Sequence, residues 1–413
     1  MSRHVFFLLW ILLQTISAFS QLSPRQEAIR LISQGDAQMR FGNWEQALFS
    51  YTNAIQHDPS CGEAYMKRAA LNERIGRIQE AMADYSNAIL FNPQSAYIYD
   101  KRAKLRLIAS DYKGALEDSN TAISLNEFDN EFRNTRVDEW IMWGEFDKAI
   151  TEIDTLIRRG YEPSYELMKR SFAEFHSGDA VKARKSLDSA LTINPHFWLS
   201  YDMLGLLELR EGNPMASIIN FNKAIELKPD YALAWYNRAI AFRYLGNKEA
   251  AIADLNRSLE LNMQNEQIYF LRGIMKKESG DLEGAIEDYS IAAVSSERLY
   301  TDVLYNRAYT LKMLGEYDLA LHDSEIILSI EPESPEHWNL KGNIHLLFGS
   351  YQAAIDAYSE AISRQGDYGE ALYNRGLAYC MSYRIREGCG DFEMSKNAGF
   401  MRSEEAIRDF CNY

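Results

Sequence analysis

Residues 232–265 read ALAWYNRAIAFRYLGNKEAAIADLNRSLELNMQN. Ala232 to Leu245 is rich in helix formers and ends at Gly246, a residue suited to the positive-φ turn that closes a helix. A second helical run follows from Glu249 to Leu261. Small residues stand where the two helices must approach closely: Ala239 on the first, Ala251 and Ser258 on the second. Trp235, Leu245, Leu255 and Leu259 supply the bulk that fills the space between. The stretch therefore predicts one helical hairpin.

The pattern extends outward in both directions. Ala47, Ala81, Ala115, Ala149 and Ala183 recur every 34 residues; Ser217 keeps the interval, and Ala251 and Ala285 resume it. One extra residue near Leu299 shifts the frame before Ala320 and Ala354. Glycine follows five places earlier, at Gly42, Gly76, Gly144, Gly178, Gly212, Gly246, Gly280, Gly315 and Gly349. Pro59, Pro93, Pro195, Pro229 and Pro332 end other copies, because a proline ring removes an N–H and clashes with the preceding turn. A period of 34 with this punctuation specifies stacked helical hairpins, each burying its apolar face only against its neighbours. Three or more copies are needed before burial offsets the ordering entropy.

These residues resemble the tetratricopeptide repeat. That family wants an aromatic, a small residue four places on, then Gly, Ala, aromatic, Ala and Pro at fixed offsets. Trp338, Gly342, Gly349, Ala354, Tyr358 and Ala361 meet the pattern in one copy; Tyr269, Gly273, Gly280, Ala285, Tyr289 and Ala292 meet it in another. Eleven units start at residues 28, 62, 96, 130, 164, 198, 232, 266, 301, 335 and 369. The third has Ser110 in place of glycine, and the fourth has Val137, Ile153 and Leu156 where the family has small or aromatic residues. The resemblance implies an all-α, right-handed superhelical solenoid, with the first helix of each unit lining a concave groove. The expected division is a segment 1–20, a short lead 21–27, the array 28–403 and a capping helix 404–413.

Both ends carry signals. Arg3 and His4 precede the apolar run Val5–Leu13, and Ala18-Phe19-Ser20 offers small residues where a signal peptidase reads. Cleavage before Gln21 and export to a periplasm or the extracellular space are expected; the alternative is an uncleaved anchor, though the run is short of the ~20 residues that span a bilayer. No other long apolar run exists, so no membrane span is expected after cleavage. At the far end Gly388 replaces the timekeeping alanine, and a helix with Ala406, Ile407 and Phe410 on one side and Glu404, Glu405, Arg408 and Asp409 on the other suits a cap. The ending resembles those of exported bacterial repeat proteins, which often carry a cysteine on the last repeat helix and another on the cap. Cys389 and Cys411 fit that arrangement and are the candidate disulfide. Cys380 is a competing partner, two reduced thiols are the plain alternative, and Cys61 is expected to be free.

No catalytic, cofactor or metal motif is present: there is no zincin helix, phosphate-cradling glycine loop or nucleophile-elbow serine. His337 and His345 are eight residues apart, too far to ligate one metal side by side. The sequon Asn256-Arg257-Ser258 falls mid-helix. With 44 basic against 59 acidic residues the formal charge is −15, and losing Arg3 with the first twenty residues takes it to −16. Such a field repels nucleic acid and anionic lipid, leaving a protein or peptide as the expected partner.

The fifth and twelfth places of a first helix lie two turns apart on one stripe. In units seven to nine they read Tyr236, Phe270, Tyr305 and Arg243, Lys277, Lys312, the one local basic row on an acidic chain. This row is the candidate grip for an extended peptide with acidic or carboxylate groups. The plainer alternative packs the aromatics against the next helix and pairs the lysines with nearby acids. Asn237, Asn306 and Asn374 recur in a Tyr-Asn-Arg triplet; some relatives hold a peptide backbone with that asparagine, though it is also common consensus filler. The leading expectation is a non-catalytic scaffold of the cell envelope or secretory space. Its alternatives are a holdase-type chaperone using Phe172, Phe175, Leu206 and Leu209, or an accessory subunit of an enzyme complex.

Overall fold

A computed structural model describes residues 22–263, 265–295 and 300–411. Among these residues are 23 α-helices and no strand. The expected targeting segment, 1–20, lies outside the described residues. No described helix is long and apolar enough to cross a membrane. The chain divides into two compact units, Met1–Met203 and Leu204–Tyr413, the division falling inside the helix Trp198–Arg210.

The N-terminal unit holds five hairpins: Pro24–Arg40 with Trp44–His57, Gly62–Arg74 with Ile78–Phe91, Ala96–Ile108 with Tyr112–Leu125, Asn130–Trp143 with Phe146–Arg158, and Pro163–His176 with Ala180–Ile193. In the C-terminal unit, Pro214–Leu227 precedes Ala232–Tyr244 with Lys248–Glu260, Glu266–Ser279 with Leu282–Ser295, and Tyr300–Leu314 with Tyr317–Ile330. Pro335–Leu347 with Tyr351–Arg364, Gly369–Met381 with Ile385–Asn397, and the cap Ser403–Phe410 complete it. Within each unit, from Pro24–Arg40 to Ala180–Ile193 and from Pro214–Leu227 to Ser403–Phe410, each helix packs on its neighbours in sequence, as the 34-residue period requires. Two boundaries shift slightly. The first helix begins at Pro24, within the expected lead, because Ser23 and Gln26 form a reciprocal capping box. The cap begins one residue early, at Ser403, whose hydroxyl is tied to Ser395.

The turn between paired helices needs a positive φ, and Gly246 takes it at +72°. Ser110 and Tyr383 occupy the same place at +60° and +61°, so the turn geometry is set by packing and a side chain is forced into it. Close approach of the helices explains a second glycine series. A Cβ on Gly35, Gly205, Gly273, Gly342 or Gly376 would lie 2.4–2.6 Å from the ring of Tyr51, Phe221, Tyr289, Tyr358 or Phe392. Where the facing residue is aliphatic, a larger partner fits: Val137 against Ile153, Ala239 against Leu255. The irregular fourth repeat is thus repacked, with Val137, Ile153 and Leu156 all fully buried.

In repeats two to five, seven to nine and eleven an arginine ties the hairpin to the one before it. Arg238 Nε and Nη2 donate to both oxygens of Asp254 at 2.7 Å, across the hairpin, while Nη1 reaches back to Asn222. Arg68, Arg102 and Arg375 repeat this with Asp84, Asp118 and Asp391, and reach back to Thr52, Ser86 and Ser359. Arg272 does the same with Asp288 and Asn256. That leaves the sequon asparagine already engaged, and its Ser258 fully buried. These bidentate, charge-assisted bonds satisfy carboxylates that are almost wholly out of water.

At the C-terminal end Cys389 is bonded to Cys411, with a Cα separation of 5.8 Å. Cys61 and Cys380 are free and buried.

Candidate partner-binding face

In repeats two to five the sixth place of the first helix holds a lysine or threonine, and each is spent on a neighbouring repeat. Lys67 Nζ pairs with Asp36 at 2.8 Å and Lys101 with Glu73 at 3.6 Å. Thr135 donates to Asp100 at 2.6 Å, and Asp100 also takes Lys104. Lys169 donates to Asn134 and Asp138. Below this ladder lie two fully buried acids. Glu139 accepts from Ser119 at 2.6 Å through one oxygen, and its other oxygen has no partner; neither oxygen of Glu166 has one. Burial pushes Glu139 up to about 8, with Ser119 and Arg136 opposing it and Asp100 and Asp118 adding to it. Burial likewise pushes Glu166 up to about 7, opposed by Lys169 and reinforced by Asp138, Glu162 and Glu131.

The C-terminal unit is arranged differently. Tyr236, Phe270 and Tyr305 are half-buried and pack into the hydrophobic clusters beneath them, as the plainer alternative holds. Phe270 leans on Tyr289 and Tyr305 on His337, at 6.0 and 5.7 Å between ring centres. Burial raises both tyrosine hydroxyls' pKa values above the ordinary range. Asn237 is buried, whereas Asn306 accepts a 2.9 Å bond from Lys277 and Asn374 donates to Asn343 at 2.9 Å. Arg243 is exposed.

Lys277 and Lys312 converge on a ring the sequence reading did not select. Tyr309 is partly exposed, with Lys312 Nζ 4.0 Å and Lys277 Nζ 5.5 Å from its ring centre. Burial lowers the pKa of both ammoniums; Glu278 acts against this at Lys277 and Glu370 at Lys312. Among the described residues no carboxylate lies within ion-pair distance of Lys312. The signal for Tyr309 was present: it stands four residues after Tyr305 and three before Lys312, one helical face. Phe172 and Phe175 pack around His176, at 4.2 and 5.2 Å between ring centres, so part of the expected chaperone surface is engaged internally. Among the described residues no cluster of three or more His, Cys, Asp or Glu is placed to hold a metal.

Three models of the tetratricopeptide repeat match the chain, one at residues 32–96 and 305–370, one at 232–262 and one at 200–231. Anaphase-promoting complex subunit 6 of Dictyostelium discoideum is 34% identical over 76 residues, 18% of this chain and 9% of that protein. The chain thus aligns with under a tenth of that curated relative. Among solved structures, a tetratricopeptide repeat protein from Parabacteroides merdae is 21% identical, with a TM-score of 0.43 over 60% of this chain and 97% of that one. The Cut9 and Hcn1 assembly of the APC/C is 16% identical, with a TM-score of 0.47 over 87% of this chain and 77% of that one. YrrB, described as having an unusual peptide-binding site, is 18% identical, with a TM-score of 0.43 over 45% and 95%.

Proposed function

Because the chain is a tetratricopeptide-repeat protein, a family generally of non-catalytic scaffolds, we propose that it holds a protein partner by an extended acidic segment laid along repeats seven to nine. The observation that carries this reading is the exposed Tyr309 ring flanked by Lys277 and Lys312, two partly desolvated ammoniums; among the described residues Lys312 has no carboxylate at ion-pair distance and feels only the more distant Glu370. A carboxylate arriving there gains charge-assisted bonds in a partly dry setting, and the ring offers contact area. Arg243 extends the row by one repeat. A labelled hexaglutamate peptide, followed by fluorescence anisotropy, tests the proposal. Binding should weaken with salt and vanish in the Arg243→Glu, Lys277→Glu, Lys312→Glu variant; unchanged binding by a folded variant rejects it.

The site of action belongs to the same proposal: the cell envelope or secretory space, reached through the segment 1–20. The Cys389–Cys411 bond supports an oxidising compartment, where such bonds persist. The mass of the protein recovered from its native compartment decides it. A chain beginning at Gln21 is expected, and an intact chain in the cytosol contradicts it.

A further inference from the structure

The last repeat and the loop before the cap frame an open pocket of about 600 Å³. Glu370, Tyr373 and Asn374 line it from the helix Gly369–Met381; Phe400, Met401 and Arg402 line it from the loop before the cap. The Tyr373 and Phe400 rings, 5.2 Å apart, form an apolar floor, and Met401 stands almost fully in water at the rim. That loop is anchored twice. Ser403 donates to Ser395, which donates to the Gly369 carbonyl at 2.6 Å, and Cys389–Cys411 ties the cap behind it.

The polar groups lining the helix side offer acceptors: Glu370 is acceptor-only and Asn374 keeps its amide oxygen while one amide hydrogen is committed. Asn374 Nδ2 donates to Asn343. Asn339 is 5% exposed, and its Nδ2 is divided between Tyr368 and Glu370, at 3.3 and 3.2 Å. These bonds fix the orientation of both amides, and Asn339 Oδ1 has no partner. Glu370 receives only that one amide, and no ion pair joins it to Arg402 among the described residues. Two acceptors on this wall, the Glu370 carboxylate and the Asn374 amide oxygen, beside an aromatic floor complement a primary ammonium on a methylene stem, which brings three donors and a stem that packs on rings.

We infer that this pocket reads lysine: it takes a lysine side chain of the partner segment, stem on Tyr373 and Phe400, ammonium at Glu370 and Asn374. Arg402, on the opposite wall, donates to the backbone carbonyls of the same segment. The inference rests on the C-terminal unit being a docking face, and it adds a basic requirement beside the acidic one.

The full oxidised chain, carrying ¹³C-methyl methionine, reports directly through Met401. Acetyl-Ala-Lys-Ala-amide should shift the Met401 methyl saturably, and the norleucine peptide, which keeps the stem and drops the charge, should bind at least about tenfold more weakly. Glu370→Gln, an exposed change that keeps the acceptor for Asn339, should cost a similar factor while leaving the fold intact. Equal binding of the lysine and norleucine peptides overturns the inference, as does tighter binding of a lysine-free peptide with an open N-terminus. Hexaglutamate separates the two readings. Lysine binding without hexaglutamate binding sinks the acidic face and keeps the pocket, and the reverse pattern sinks the pocket alone.

Discussion

The first helices of repeats two to five and those of repeats seven to nine are cut from one pattern, yet they treat their charges in opposite ways. In the former, Lys67, Lys101 and Lys169 each close on an acid of the neighbouring repeat. In the latter, Lys312 rests on the Tyr309 ring with no carboxylate at ion-pair distance among the described residues, and Arg243 stands exposed. The difference teaches how one repeat frame divides its tasks. A charge matched within the array contributes to holding adjacent repeats together. A charge left unmatched contributes little to stability and is available to a visitor.

The frame itself should not distinguish the two units. Arg68→Ala and Arg238→Ala each leave a nearly buried aspartate without its guanidinium, and each should cost about 3–5 kcal/mol in chemical denaturation. A loss confined to one unit would break the idea of a common clamp. Similar in size, group for group, is an acid-strengthened joint that belongs to the N-terminal unit. Glu139 and Glu166 are held at about 8 and about 7, above the 4.5 of an ordinary glutamate. As pH rises from about 4.5 the unfolded chain sheds these protons first, so stability falls until the folded groups also ionise and is level beyond about pH 8. The loss should be on the order of 3–5 kcal/mol for each group. Hydrogen exchange, corrected for its intrinsic pH dependence, should quicken in Asn130–Trp143 and Pro163–His176 across that window and not in Glu266–Ser279. Glu139→Gln with Glu166→Gln should flatten the profile; a persisting slope means other groups carry it.

Removing the disulfide with Cys389→Ser and Cys411→Ser should destabilise the cap by on the order of 3 kcal/mol at most, since the Ser403–Ser395–Gly369 chain remains. Protease nicking near residues 398–402 measures it, and an unchanged cleavage rate would make the bond dispensable. The smallest pair of effects sharpens the comparison most. Lys169→Met should lower stability by about 1–2 kcal/mol, because Asp138 and Asn134 lose a nearly buried partner. Lys312→Met should change it by less than about 0.5 kcal/mol while weakening hexaglutamate binding. Equal effects on stability would mean both lysines are structural.

Much of the hairpin order was legible in the chain, because the spacing of Gly246, Ala251 and their counterparts reports backbone turns and close contacts, which are local. One extra residue also shows in the spacing of the clamps: Arg307 reaches back seventeen residues to Ser290 where the other clamps reach sixteen. The candidate face was legible only in part. Lys277 and Lys312 stand out as charges on an acidic chain, but whether the stripe of Tyr236, Phe270 and Tyr305 is free or packed stayed open in the sequence; it is half-buried, and helix spacing does not tell which side of a stripe the next repeat covers. Tyr309, two turns into its helix, carried no unusual residue type to mark it. Glu139 and Glu166 read as two more acids in an acidic sequence; their burial is a property of their neighbours.

By itself the amino-acid sequence determined the repeat: helix lengths, glycine turns, small residues at crossings, and hence hairpins that bury their faces only by stacking. Those are rules of nearest neighbours along the chain, and a linear text records them. Which charges are matched, which ring stays in water and which acid goes dry was decided between residues thirty or so positions apart. Lys67 meets Asp36 and Lys277 meets Asn306 only after adjacent hairpins dock. Burial and charge pairing depend on distance in space, and only the packed repeats set that distance.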